Sequence, residues 1–329
     1  MKKFSLLFLI IIFLFNVVHA QTTLSNRVEF SFKFYPDSKK INFNPNYFLF
    51  YSFKEGNVTA YLDLRDTGFR GGYLSISNIL GILDFYLAKY YISVEGTKAL
   101  FDSMLYNRLN LNGIQLTLKK PFRLVLSYIP SLIESDVDFN TGRLIMKLDT
   151  QELTSKFLGS NLYALYDFNM QMLVNTFVVG AEFKPTSFVT LFGEYGNNSR
   201  QWAIGGSLKP LHNFILTGFY RGDGGYNIEA QITDLIPKLS IYGAYYSAPD
   251  SPNYMYIRIS LPPFNFGTID GLYGLYTSIG TKDVWYLRLS SRWGKLSNTL
   301  RIYKNWNFGA GWFDTTIPFT VEDIVNVTF

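Results

Sequence analysis

Apolar and polar side chains alternate at every second position along much of the chain. The alternation is most regular in residues 28–35, 58–65, 228–233 and 254–261. In the last segment the two series are Met255, Ile257, Ile259 and Leu261, and Tyr254, Tyr256, Arg258 and Ser260. A period of two predicts β-strands with one apolar and one polar face. Because the polar faces carry ionisable side chains on many strands, we expect a closed barrel with the apolar face outside and a wet interior.

Short turns that contain proline divide these strands at a nearly constant interval. Four of their prolines lie 25, 27 and 25 residues apart: Pro185, Pro210, Pro237 and Pro262. Two strands of about ten residues with one tight and one looser turn fill such an interval, which predicts antiparallel up-and-down hairpins and about 16–20 strands. If these turns all lie on the periplasmic side, counting the strands forward gives the strand after Pro318 the wrong direction, so either one strand is miscounted or the last hairpin is irregular.

One hairpin can be aligned residue by residue. Pairing Leu289 with Leu300 across the turn at 293–296 matches apolar residues on one face and polar residues on the other. A slip of one residue would exchange the two faces, so the agreement is informative. The same register places Arg288 directly opposite Arg301.

The beginning of the chain has the pattern of an export signal. Lys2 and Lys3 precede ten apolar residues at 6–15, and small side chains follow up to Ala20. This order predicts a secretory signal peptide, residues 1–20, cleaved after Ala20, and a mature barrel at 21–329. An uncleaved membrane anchor is the alternative, but it needs about 20 apolar residues.

Composition and charge narrow the function. Aromatic residues make up 18% of the chain, and cysteine is absent. Removing Lys2 and Lys3 lowers the net charge from +5 to +3, and no basic run is interleaved with aromatic residues, so we expect no nucleic-acid partner.

The end of the chain is an alternating strand with an aromatic last residue. Phe329 is preceded at every second position by Val327 and Val325, although Asp323 interrupts the apolar series. With the export signal and the strand pattern, the chain resembles bacterial outer-membrane β-barrel proteins as a class. The resemblance implies a transmembrane antiparallel barrel in the outer membrane, in contact with the lipid bilayer and inserted by the outer-membrane assembly machinery through Phe329.

Two segments depart from the strand pattern. Residues 97–109 have near-helical apolar spacing, and residues 149–159 resemble a short helix capped by Asp149 and ended by Gly159. Because porins fold a long loop into the pore, the first segment is a candidate constriction loop, with a surface helix as the alternative. The prediction of a constriction loop rests on five residues of this segment: Thr97, Leu100, Met104, Leu105 and Leu109.

We therefore expect a monomeric or homotrimeric pore, without cofactor or metal, that passes small hydrophilic solutes by diffusion. The predicted pore-lining residues are Lys33, Glu182, Glu229, Arg258, Arg288 and Arg301. The three arginines occupy positions of their strands that face the same side of the sheet, which predicts a wall of the lumen that attracts anions. In the alternative interpretation, Glu182 or Glu229 crosses the lumen and neutralises them.

Two other functions remain open at this stage. One is a non-conducting barrel with a structural or surface-binding role, and the other is a barrel hydrolase. A hydrolase needs a histidine that activates a serine, whereas the mature chain has only His212, in a tight turn. The acidic residues at 134–138 resemble the start of a calcium loop, but Thr141 and Lys147 occupy the positions of its glycine and glutamate. We therefore expect no catalysis.

Overall fold

A computed structural model describes residues 21–101, 111–130, 142–155, 159–170, 173–234, 239–249, 251–264, 267–277, 281–309 and 311–329. The predicted signal peptide at 1–20 and the acidic residues at 134–138 lie outside the described residues. Met104, Leu105 and Leu109 of the candidate constriction loop lie outside them as well. No helix within the described part of the chain has both the length and the apolar character of a membrane span.

The described residues form 22 strands and one short helix. The strands are β1 (Gln21–Tyr35), β2 (Lys40–Glu55), β3 (Val58–Arg65), β4 (Gly68–Ile79), β5 (Leu83–Ile92), β6 (Leu111–Leu118), β7 (Arg123–Ile129), β8 (Arg143–Asp149), β9 (Asn161–Asn169), β10 (Val174–Thr186), β11 (Val189–Gly196), β12 (Trp202–Leu211), β13 (Phe214–Arg221), β14 (Tyr226–Ile232), β15 (Ser240–Ala248), β16 (Ser251–Phe264), β17 (Gly267–Thr277), β18 (Thr281–Trp293), β19 (Leu296–Lys304), β20 (Trp306–Asn307), β21 (Trp312–Phe313) and β22 (Thr320–Thr328). The helix is α1 (Gln151–Thr154).

Twenty of these strands form one closed antiparallel sheet. Each strand from β1 to β19 pairs with its neighbour in the chain, and β22 closes the barrel by pairing with both β19 and β1. The prediction of an all-β, up-and-down barrel is therefore confirmed, at the upper end of the predicted strand number. We call the edge where β1 begins and β22 ends the terminal rim, and the opposite edge the loop rim.

The direction of the last strand follows from the segment between β19 and β22. This segment holds a small separate hairpin of β20 and β21, which is not part of the barrel wall. Asn305 and Gly311 adopt positive φ angles of 55° and 65°, which break the extended backbone on either side of β20. Pro318 therefore belongs to a loop-rim connection, and β22 runs back to the terminal rim without conflict.

Three of the four prolines that marked the predicted turns, Pro185, Pro210 and Pro262, lie near the ends of strands, and Pro237 lies outside the described residues. Pro185 is in β10 and Pro210 is in β12, and at each of them the register to the next strand shifts. Proline has no amide hydrogen to donate to the ladder, so these irregular positions accommodate it. Both strands end at the terminal rim, which agrees with the regular spacing of the turns.

The two faces of the wall have the predicted composition. Ile257 lies on the outer face and is 58% exposed, whereas Arg258 on the inner face contacts the buried Asp270 of the next strand. The predicted hairpin register is confirmed, because Leu289 pairs with Leu300 and Arg288 pairs with Arg301.

Aromatic side chains form two belts on the outer face. The belt at the loop rim consists of Tyr195, Trp202, Tyr220, Tyr226 and Tyr245 on successive strands. Near the terminal rim, the exposed aromatic residues are Phe183, Phe188, Trp293 and Phe329. Exposed aliphatic side chains such as Leu208, Ile257 and Leu287 lie between the belts. An apolar band flanked by aromatic belts is the exterior of barrels that cross a membrane.

The second predicted helix is present but shorter. It spans Gln151–Thr154, and the amide of Thr154 donates to the carbonyl of Thr150 at 3.0 Å. The predicted cap, Asp149, is instead the last residue of β8, where it pairs with Arg123. Gly159, the predicted end of the helix, has a φ of 64°, and its amide donates to the carbonyl of Ser155 at 3.1 Å.

Candidate functional site

The inner face of the barrel carries buried carboxylates that each contact two cationic side chains. At Glu322 in β22, Lys33 and Arg301 approach the two carboxylate oxygens at 3.2 and 3.1 Å. The carboxylate side chain is only 5% exposed, whereas Lys33 and Arg301 are 39% and 25% exposed. The negative charge therefore lies against the wall, and the positive charges extend into the lumen.

Asp270 in β17 has the same arrangement. Arg258 donates to it through Nε at 3.0 Å and Nη2 at 3.2 Å, and Arg288 donates through Nη2 at 2.8 Å. The hydroxyls of Ser260 and Tyr286 also donate to it, at 2.9 and 3.0 Å. Asp270 is 6% exposed, whereas the two arginine side chains are 45% and 36% exposed. Five donated hydrogen bonds saturate the carboxylate, which neutralises only one of the two arginines.

Three further carboxylates in the barrel wall or in the segment after β5 each contact two cations. They are Asp63 with Arg65 and Arg70, Glu182 with Lys98 and Lys184, and Glu95 with Arg123 and Lys147. Asp223 also contacts two, Arg200 and Arg221, but it lies in the loop-rim turn after β13 and is not counted with them. We call the five carboxylates with their cations the two-to-one sites. Each has one more positive than negative charge, so together they carry an excess of five positive charges. In a narrow aqueous channel such an excess raises the local concentration of anions.

Glu95 differs from the other four carboxylates because it lies after the end of β5, outside the barrel wall. Hydrogen bonds from the Arg123 guanidinium hold the pKa of Glu95 below its ordinary value, although partial burial acts in the opposite direction. Lys147 contributes a second ion pair at 3.4 Å. The ionised Glu95 therefore ties the segment that follows β5 to β7 and β8.

Other charged pairs on the inner face are balanced. Arg143 donates to Asp167 through Nε at 3.1 Å and also through Nη2, and Lys119 forms a 2.8 Å ion pair with Asp84. Each of these carboxylates has one cationic partner within the described part of the chain. They add no excess charge to the lumen.

The structure corrects the predicted neutralisation of the arginines. Glu182 pairs with Lys98 and Lys184, and Glu229 accepts a hydrogen bond from Asn227 at 2.7 Å, so neither crosses the lumen to the arginines. The partners are Asp270 and Glu322, which lie on strands next to β18 and β19. Sequence reasoning missed both. Glu322 has the inward parity of β22, but the misdirected last strand concealed its pairing with Arg301.

A first segment of chain folds into the barrel after β5. The carboxylate of Glu194, on the inner face of β11, accepts hydrogen bonds from the backbone amides of Lys98, Ala99 and Leu100 at 2.6, 3.1 and 2.8 Å. The Thr97 hydroxyl and the Tyr163 hydroxyl donate to the same carboxylate, at 3.0 and 2.7 Å. One buried side chain therefore anchors the segment through four donors, and the fifth donor, Tyr163 of β9, ties the same carboxylate to the wall.

The apolar side of this segment packs on the inner wall. Val94 and Leu100 are fully buried in a cluster with Ile129, Leu165 and Val178 of β7, β9 and β10. The predicted constriction segment thus begins inside the barrel. Its described residues up to 101 are not helical, because the Thr97 hydroxyl and amide both bond to the backbone of Phe101.

A second segment folds inward between β19 and β22. Trp306 and Phe313 of the small hairpin are buried, and their rings lie 5.0 Å from Tyr286 and 5.1 Å from Tyr276 of the wall. Phe308 contacts Tyr303 at 5.0 Å. The irregular last hairpin that the strand count left open is this inward segment. The lumen is therefore occupied from two opposite parts of the wall, β5–β12 and β16–β19.

His212 lies in the turn between β12 and β13, as expected. Within the described residues, histidine and carboxylate side chains form no group that could hold a metal ion.

The chain is similar to solved porin structures. Two mutant porins from Rh. blastica cover 94% of this chain and are covered over 100% of their own, with 10% and 9% identity and TM-scores of 0.40 and 0.44. A triple mutant of the Rhodopseudomonas blastica porin has 11% identity, the same coverage and a TM-score of 0.39. Neither a family model nor a curated protein matches the sequence. At these TM-scores the likeness carries no argument, and the assignment of a porin-like barrel rests on the strand pairing.

Proposed function

We propose that the protein is a pore of the bacterial outer membrane that passes small hydrophilic solutes by diffusion and favours anions. The observation that carries this proposal is the two-to-one ratio of cations to buried carboxylates on the inner face. Burial of Asp270 and Glu322 against the wall leaves their cations as the charges that a passing solute meets. Screening in the aqueous lumen makes this excess tolerable for the fold.

The location in the outer membrane is supported by the outer face. The two aromatic belts and the aliphatic band between them fit a bilayer, and the predicted signal peptide at 1–20 would bring the chain out of the cytoplasm. Phe329 has an exposed ring at the terminal rim, and its amide donates to the carbonyl of Asn26 at 2.9 Å. We propose that this exposed aromatic end is the feature that the assembly machinery binds.

The two segments that fold inward set the size limit for solutes. Glu194 fixes the first segment, and aromatic packing fixes the second, so both narrow the lumen. Charge on the wall and the position of these segments then select solutes by sign and size.

The same two segments favour one alternative function. If they closed the lumen completely, the barrel would not conduct and would have a structural or surface-binding role in the envelope. Conductance of the refolded mature protein in a planar bilayer separates the two functions: we expect discrete channel steps, and a protein that inserts without conducting would support the alternative.

Cell fractionation tests the location independently. We expect the mature protein to begin at Gln21, to be recovered in the outer membrane and to migrate differently in unboiled and boiled gel samples. Recovery from the soluble periplasm would contradict the location. Chemical cross-linking in the membrane distinguishes the monomer from the homotrimer, both of which fit the proposed pore.

A further inference from the structure

Three arginines and one aromatic ring form a continuous surface in the lumen. Arg288 and Arg301 are directly opposed on β18 and β19, and Arg258 reaches the same carboxylate as Arg288. The guanidinium carbon of Arg301 lies 4.5 Å from the centre of the Phe308 ring, which belongs to the second inward segment. We call these four residues the arginine–phenylalanine surface.

The charges of this surface are incompletely compensated. The surrounding cations are Lys33 and the three arginines, and the carboxylates that contact them are Asp270 and Glu322, so four positive charges face two negative ones. Asp270 is already saturated by its five hydrogen bonds. The side chains of Arg258, Arg288 and Arg301 are 45%, 36% and 25% exposed, so positive charge remains accessible to a ligand.

The aromatic part of the surface favours a ligand with a flat apolar body. Phe308 contacts the Arg301 guanidinium, and the centre of its ring lies 5.1 Å from that of Tyr286 and 5.0 Å from that of Tyr303. It is only partly buried. Stacking on such a ring adds to the attraction of the charges for a planar molecule, but adds nothing for a small inorganic ion.

We propose that the arginine–phenylalanine surface binds small aromatic carboxylates as they pass through the lumen. The planar guanidinium groups offer paired N–H donors that match the two oxygens of a carboxylate, and the ring of the ligand lies against Phe308. This inference rests on the proposed pore function, because it names the class of solute that the lumen takes.

Block of the chloride current by three probes tests the proposal on the refolded mature protein. Benzoate, acetate and inorganic phosphate are each added to a planar bilayer in chloride salt. We expect benzoate to reach half-block at a concentration about fivefold lower than acetate, the factor that one aromatic stacking contact supplies. Phosphate that blocks as effectively as benzoate would overturn the assignment to aromatic carboxylates.

Substitutions separate the ring from the charges. Phe308→Leu keeps an apolar side chain but removes the ring, and it should raise the half-blocking concentration of benzoate to that of acetate. Arg288→Ser with Arg301→Ser should weaken block by both carboxylates. As a control, Lys184→Ser removes one positive charge from a two-to-one site that has no aromatic ring among its contacts in the described residues, and Glu182 keeps Lys98. This control should lower chloride selectivity but leave the ratio of benzoate to acetate unchanged.

The outcomes distinguish this proposal from the pore function. Equal block by benzoate and acetate in the wild type, or an equal change of their ratio in the lysine control, would refute the binding surface but not the pore. A barrel that does not conduct would refute the pore function. In that case, isothermal titration calorimetry of the detergent-solubilised protein with benzoate tests the surface alone. No benzoate binding, or equal binding by the wild type and Phe308→Leu, would refute the surface.

Discussion

The excess positive charge of the lumen can be reduced at two points without leaving a carboxylate unpaired. In the double variant Arg288→Ser with Arg301→Ser, Asp270 keeps Arg258 and Glu322 keeps Lys33. The sites of Asp270 and Glu322 thus become pairs of one cation and one carboxylate, and the lumen loses two positive charges. Because the directly opposed arginines repel each other, the variant should fold and insert at least as well as the wild type.

The size of the effect follows from Coulomb's law. An anion about 6 Å from a unit charge in water gains about 0.7 kcal/mol, of which about 0.4 kcal/mol remains with a Debye length of about 10 Å at 0.1 M salt. Two such charges change the local anion concentration by about fourfold. We therefore expect the ratio of chloride to potassium permeability to fall by at least about fourfold at 0.1 M salt. In 1 M salt, where the Debye length is about 3 Å, the change should shrink below about twofold.

The assay is the reversal potential of the inserted channel under a gradient of potassium chloride. The matched control is Arg143→Ser with Asp167→Ser, which removes one balanced pair and leaves the net charge of the lumen unchanged. Its selectivity should equal that of the wild type. An unchanged permeability ratio in the arginine variant, or an equal change in the control, would refute the electrostatic reasoning.

Three further predictions concern the wall and the inward segment. Ile257→Arg places a charge on the lipid face and should destabilise the barrel by about 2–4 kcal/mol if the residue lies near the bilayer midplane. Ser260→Arg, on the inner face, should fold and change the conductance instead. Unfolding titrations compare the two variants, and equal destabilisation would show that the faces are misassigned. Glu194→Ala removes the acceptor of five hydrogen bonds and should release the first inward segment, so single-channel recordings should show larger and noisier conductance, and an unchanged trace would contradict the anchoring role. Because Arg123 lowers the pKa of Glu95 below its ordinary value of 4.5, the stabilisation from this pair should persist at pH 5 and be lost only as the pH falls through the lowered pKa. Channel noise recorded from pH 6 to pH 3 should therefore rise at the acidic end in the wild type more than in Glu95→Gln, and parallel curves would contradict this.

Local alternation was sufficient to predict the wall of the barrel. The register of Leu289 with Leu300 could be derived because a slip of one residue would turn every side chain of the hairpin to the other face. The partners of Arg288 and Arg301 could not be derived in this way. Asp270 and Glu322 reach the arginines from neighbouring strands, and their positions depend on three separate registers and on the direction of the last strand.

The two inward segments show where tertiary contacts outweigh local pattern. The apolar spacing around Leu100 predicted a helix, but burial against the wall and the three amides bound by Glu194 hold the described part in an irregular form. Residues 305–319 have the aromatic content of a strand. Their inward fold depends on contacts with Tyr286 and Tyr303, which a sequence pattern does not contain.

The most direct test of the proposed function is the reversal potential of the unmodified channel in a potassium chloride gradient. At four of the five two-to-one sites the carboxylate is buried and the cations are the exposed charges, so chloride should permeate more readily than potassium. The preference should weaken as the salt concentration rises. A channel that prefers potassium would contradict the proposed anion-selective pore.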